Sequence, residues 1–162
     1  MADAPPPPSQ FTPPPQPPVH SGAIPRGPRA GFWVRFVAAV VDGLLLSLVS
    51  NVILGGILGR TAGTTLGIVV QIAYFVYLEG SPSGQTIGKK LMNIRVISFS
   101  TGGPAGYGAA TIRWFARLLS ALPLGLGYFW MLWDDEKQTW HDKLSTTVVV
   151  PTSAYPVANW PG

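Results

Sequence analysis

The chain contains no cysteine. That excludes disulfides, thiolate metal sites and cysteine nucleophiles. Only two histidines are present, His20 and His141, far apart in sequence. They cannot form a histidine-rich metal site by themselves. Charged residues are scarce, at 11%, where soluble domains run near a quarter. The basic residues are scattered, with no dense run of the kind that binds nucleic acid. No Gly-x-Ser-x-Gly turn is present to carry a hydrolase serine. The start, Met1-Ala2-Asp3-Ala4-Pro5, has neither the basic residues nor the early apolar core of a cleaved signal peptide. No nucleophile–base–orienter set, metal cluster or cofactor loop can be assembled. The expectation is therefore a protein without enzymatic activity, cofactor, metal or nucleic-acid partner.

What is present is apolar. The 162 residues are 47% hydrophobic, enough for one domain and a tail. Together with the low charge, this points to lipid as the solvent. Eleven of the 17 prolines lie before residue 29. The runs Pro5-Pro6-Pro7-Pro8 and Pro13-Pro14-Pro15 favour polyproline II. Residues 1–30 therefore read as a disordered spacer or as a docking ligand for a proline-reading protein partner.

Residues 32–58 form the first long apolar stretch, with Trp33 at one interface. It exceeds the roughly 20 residues needed to span a bilayer and reads as an uncleaved anchor. Residues 64–79 form a shorter second span, joined by a few residues, which predicts an antiparallel hairpin. Residues 94–99 alternate and are β-branched, so they read as a strand, as do residues 146–150. Between them, residues 106–133 carry Arg113 and Arg117 and then an apolar run interrupted by Pro123, Gly125 and Gly127. That run is short for a crossing. Either it crosses alone, or it enters and returns at Pro123; we favour the broken form, because the two strands are natural partners only on one side. Residues 152–162 read as a flexible end.

Positive charge belongs in the cytoplasm. Arg26 and Arg29 precede the first span, and Lys89, Lys90 and Arg95 follow the second. The N-terminus is therefore expected inside, in a bacterial inner membrane. Lys89 and Lys90 are expected to meet anionic head groups. The segment Gly84-Gln85-Thr86-Ile87-Gly88-Lys89-Lys90 only imitates a phosphate loop. Its spacing is one short and Lys90 stands where Ser or Thr is required, so a turn and a short helix are expected.

Arg35 and Asp42 are costly at membrane depth. They share a face of the first helix but lie about 10 Å apart along its axis. Arg35 can snorkel to head groups. Asp42 needs a partner, either Arg113 or Arg117 in a register-fixing ion pair, or a transported cation or proton. Asp142 follows His141, but neighbours in a chain face different ways, so the pair is read as a cap or surface salt bridge. Gly55 and Gly59 form a Gly-x-x-x-Gly spacing that serves dimerisation or seats the second span.

Arg35, Asp42 and Asp142, with the segments 84–96 and 138–150, resemble the RDD family of membrane proteins, named for such an arginine and two such aspartates. The resemblance covers about residues 30–151. It implies a membrane domain at residues 31–151 and, as suggested for the family, transport. The reading is an all-α membrane protein: a helical transmembrane bundle of two full spans and a third, broken segment, with a small cytoplasmic β element. Its expected partners are membrane lipids, a second copy in a homo-oligomer and a protein that reads the tail.

Overall fold

The computed structural model describes residues 27–157. The proline runs and most of the expected disordered tail lie outside the described residues. The first apolar stretch is one long helical segment, Phe32–Leu58. It consists of α1 (Phe32–Ser47), a π-helical stretch Leu48–Leu54, and α2 (Gly55–Leu58). Its 27 residues give a length of about 40 Å, more than the hydrocarbon thickness. Gly59, at φ 80°, turns the chain, and α3 (Arg60–Gly80) returns. The second helix thus begins at Arg60 rather than Thr64. Thr64 and Thr65 donate their hydroxyls to the Arg60 and Thr61 carbonyls, so these polar residues fit inside a helix.

The hairpin is held by absent side chains. A Cβ on Gly63 would lie 2.5 Å from the Gly55 backbone. The two helices therefore touch backbone to backbone there, which assigns Gly55 to seating α3.

After α3 the chain turns into α4 (Ile87–Leu91), capped by Thr86, and then β1 (Ile94–Ser98). Helix α5 (Gly106–Ala121) follows. The segments Gly106–Ala121 and Leu126–Leu132 meet at 113°. Pro123 has no N–H, and Leu124 and Gly125 are left-handed, so no helix continues through them. The break expected in the third segment is present. Its return carries α6 (Leu126–Phe129) and a 3-10 turn. Helix α7 (Trp140–Leu144) and β2 (Thr147–Pro151) close the chain.

The strands pair antiparallel, with Ile94 opposite Pro151 and Ser98 opposite Thr147. Val96 and Val149 pack with Ala30, Ala38 and Ile94 on one side; Ile97, Val148 and Val150 pack with Tyr155 on the other. Residues 152–157 are tied to this sheet rather than loose: Thr152 donates to the Asn93 carbonyl, and the Tyr155 hydroxyl accepts from Gly27 N. Most other large apolar residues of the spans are exposed, among them Leu44, Val52, Val69 and Leu124. Such a surface belongs in lipid. This is a mostly helical membrane protein with two helices long and apolar enough to span.

Candidate functional site

Polar side chains gather where α1, α3, α4, α5 and α7 meet. Helix α1 sets one face with Arg35, Ala38 and Asp42, at the spacing that stacks residues along a helix. Arg35 reaches across to Asp142: Nη1 donates to Oδ2 at 2.7 Å, and Nη2 donates to the Val149 carbonyl. Arg113 holds the other carboxylate oxygen of Asp142 and donates to Thr147 Oγ1 at 2.7 Å. Asp142 is also the third residue of α7 and closes a capping box with Thr139. One fully buried carboxylate therefore ties α1, α5 and α7 together. Burial pushes its protonation range up, but Arg113 and Arg35 outweigh that and hold it well below the usual carboxylate range.

Glu79, at the end of α3, is the second hub. Lys89 Nζ lies 2.7 Å from Oε1, and Arg117 reaches the same oxygen. Arg113 Nε lies 3.0 Å from Oε2, within ion-pair range but not aligned as a hydrogen bond. The Arg117 guanidinium also sits over the Phe75 ring, 4.2 Å from its centre. Burial lowers the Lys89 ammonium against the opposing pull of Glu79.

Asp42 belongs to neither hub. The Tyr74 hydroxyl donates to Oδ1 at 2.6 Å, the Thr86 hydroxyl to Oδ2 at 2.6 Å, and the Gly88 N–H to Oδ1 at 2.8 Å. All three donors are neutral. Gly88 permits this approach, since a Cβ there would overlap the Ala38 carbonyl and press on the Asp42 carboxyl carbon. Among the described residues, no ion pair includes Asp42.

Several expectations about these residues need correction. Arg35 does not snorkel to head groups, because Asp142 offers it a carboxylate within the fold. Arg113 and Arg117 do pair with carboxylates, but with those of Asp142 and Glu79; Asp42 instead accepts from Thr86, Gly88 and Tyr74. Lys89 turns inward to Glu79 and is buried, whereas Lys90 stays exposed. Asp142 is a cap and an ion-pair centre together. Its Oδ1 lies 3.9 Å from His141 Nε2, while His141 Nδ1 lies 3.2 Å from the Ser120 hydroxyl. Burial drives the imidazole well below its ordinary range.

Glu79 was missed from sequence, where it serves only as the end of a span. The signal was available, because a carboxylate in helical register at the end of an apolar run needs a partner. Tyr74 and Thr86 carry no comparable signal. Among the described residues no group of acidic or histidine side chains is arranged to hold a metal ion.

The chain matches the model of the RDD family over residues 29–146. It is 37% identical over 86 residues to the "Proline-rich antigen" of Mycobacterium leprae, which is 51% of this chain and 34% of that protein. It is 35% identical over 85 residues to the "Proline-rich antigen homolog" of Mycobacterium tuberculosis, covering 52% and 35%. The chain thus spans about a third of the length of these relatives. "Uncharacterized protein YxaI" of Bacillus subtilis is 28% identical over 147 residues, covering 75% of this chain and 96% of that protein. No solved structure matches it significantly. The matched span contains every charged residue of both hubs, together with Asp42, and the chain belongs to the RDD family.

Proposed function

We propose that the protein moves a proton or a small monovalent cation across the bacterial inner membrane, with Asp42 as the exchanging group. One observation carries this reading: Asp42 is a buried carboxylate in a spanning helix, and only neutral donors meet it. A carboxylate at membrane depth without a fixed counter-ion gains most from capturing a mobile cation or a proton. Arg35, Arg113 and Arg117 are committed to Asp142 and Glu79, so a change of occupancy at Asp42 does not break an ion pair.

The positive residues before α1 and after α3 favour a cytoplasmic N-terminus. Pairing of β1 with β2 favours placing both ends of the third segment on that side, so that α5 enters and α6 returns. Three helical segments are too few to enclose a path, so an oligomer is part of the proposal. No enzymatic step is proposed.

The test is flux. Purified protein is reconstituted in vesicles holding a pH-sensitive dye, under imposed sodium and potassium gradients. We expect cation-dependent proton movement that Asp42→Asn reduces at least tenfold. Equal flux from both proteins at equal folded content would remove the proposal.

A second reading is a scaffold that recruits a partner through its tail. It is favoured by the eleven prolines before residue 29 and by the proline-rich character that the mycobacterial relatives are named for. It requires loss of partner capture on deleting residues 1–28, and no flux from any variant.

A further inference from the structure

The segment around α4 and β1 recurs around α7 and β2. One constant shift along the chain carries Gln85 onto Gln138, Thr86 onto Thr139 and Asn93 onto Thr146. The structure repeats with it. Gln85 donates to the Ile94 carbonyl at 2.9 Å, and Gln138 to the Thr147 carbonyl at 2.7 Å. Thr86 and Thr139 each cap a five-residue helix. Gly84 and Lys137 are both left-handed, at φ 63° and 52°, as are Asn93 and Thr146, at 53° and 51°. Non-glycine residues rarely adopt that conformation, so its recurrence at matched positions reflects a shared backbone.

The same shift maps the strand ladder onto itself. Ile94 goes to Thr147 and Ser98 to Pro151, and the pairs Ile94–Pro151 and Ser98–Thr147 exchange. Any antiparallel ladder is reciprocal in this way; what the repeat adds is that its shift carries Val96 onto its own partner Val149, which puts the local two-fold axis at the centre of the ladder.

The membrane helices follow. Helix α1 packs on α4, and α5 packs on α7. A second constant shift carries Arg35-Phe36-Val37-Ala38 onto Arg113-Trp114-Phe115-Ala116, and Asp42-Gly43 onto Ser120-Ala121. The contacts agree with this alignment. Ala38 and Asp42 flank Gly88. In the second half His141 takes the place of Gly88, and Ser120 faces it, with its hydroxyl also donating to the Ala116 carbonyl.

We propose that Ser120, Thr139 and His141 form a second, silent copy of the Asp42 site. A hydroxyl stands where the first copy has a carboxylate, and an imidazole stands where the first copy has glycine. One donor remains in place. The Thr86 hydroxyl donates to Asp42; the Thr139 hydroxyl is buried, accepts from Asp142 N, and among the described residues donates to no acceptor. Restoring the carboxylate and the glycine makes a site for a proton or a small monovalent cation. That ligand class rests on the reading of Asp42 above, whereas the two-fold equivalence does not.

A paired exchange tests the niche. Ser120→Asp alone meets the imidazole, and His141→Gly alone leaves a void; each lowers the unfolding temperature in detergent. Together they recover about half or more of the summed loss. The reverse exchange at Gly88 is no test, because a side chain there strikes the Ala38 backbone carbonyl whatever stands at residue 42. If the double change does no better than the sum of its single changes, whether by a low unfolding temperature or by failure to fold, the equivalence is overturned. The ligand is then read in vesicles containing the same dye. Ser120→Asp/His141→Gly placed in Asp42→Asn should restore proton flux. Rescue of stability without flux, while the natural protein transports, overturns the ligand class. If the natural protein shows no flux, the transport reading falls and the stability cycle alone decides the niche.

Discussion

Asp142→Asn is the sharpest perturbation of the fold. The change keeps the shape and, through the amide oxygen, much of the acceptor that caps Thr139 N. It removes the charge that two guanidinium groups share. Arg35 and Arg113 are then left buried, facing an amide. Removing one partner from a buried ion pair costs about 3–5 kcal/mol. Arg113 keeps Glu79 as a second carboxylate at 3.0 Å, which argues for the lower end of that range. For a domain of this size, that cost corresponds to a fall in unfolding temperature on the order of 10 °C. The measurement is tryptophan fluorescence of the detergent-solubilised protein during heating, with Trp140 reporting from the first turn of α7. Adding Arg35→Gln to Asp142→Asn should cost much less than the two changes measured apart, because the second removes a cation that the first has stranded. A loss under about 1 kcal/mol, with no coupling between the two sites, would refute the reasoning and reduce the clamp to an exposed-type pair.

Acid should weaken the fold through His141. Its folded imidazole titrates well below its ordinary range, so the unfolded chain binds more protons below about pH 6.5, and stability falls as pH falls from there. His141→Gln should flatten the change in unfolding temperature between pH 7.5 and 5.5; an unchanged slope would count against a buried neutral imidazole. The hairpin seam gives a steric test. Gly63→Leu forces a side chain onto the Gly55 backbone and should abolish the monodisperse peak in gel filtration. Gly43→Leu, where a Cβ meets nothing within 4 Å, should leave that peak intact.

Most of the helical framework was legible because its cause is local. A run of apolar residues from Trp33 to Leu58 needs no partner to declare itself a span, and Pro123 with Gly125 stops a helix wherever it lies. The strands were legible for the same reason, through alternation and β-branching. The charge network was legible only by residue type. Periodicity puts Arg35 and Asp42 on one face of α1, but it does not say that Asp142 folds back beneath Arg35, more than a hundred positions later. Nor does it say that Glu79 intercepts Arg117. Counting deep charges invited a pairing of Asp42 with an arginine. The fold instead satisfies Asp42 with a cap hydroxyl, a tyrosine and a backbone N–H, groups whose availability depends on the placement of α4 and carries no charge to notice in a sequence.

The three residues that mark the family do different physical work. Arg35 and Asp142 are two ends of one bond, and that bond joins the beginning of the domain to its end. Guanidinium groups keep their proton throughout the accessible pH range, so the hub at Asp142 stays closed and fixes where α7 lies, while the Lys89 ammonium ties α4 to Glu79. Asp42 meets α4 at its capped end, through Thr86 and Gly88, and depends on that placement without sharing its charge. The ion pairs thus hold the frame without involving Asp42, which is what the proposed exchange at that carboxylate requires. A sequence that set an arginine against Asp42 would gain a third strut and lose the one carboxylate of the three that no ion pair among the described residues engages.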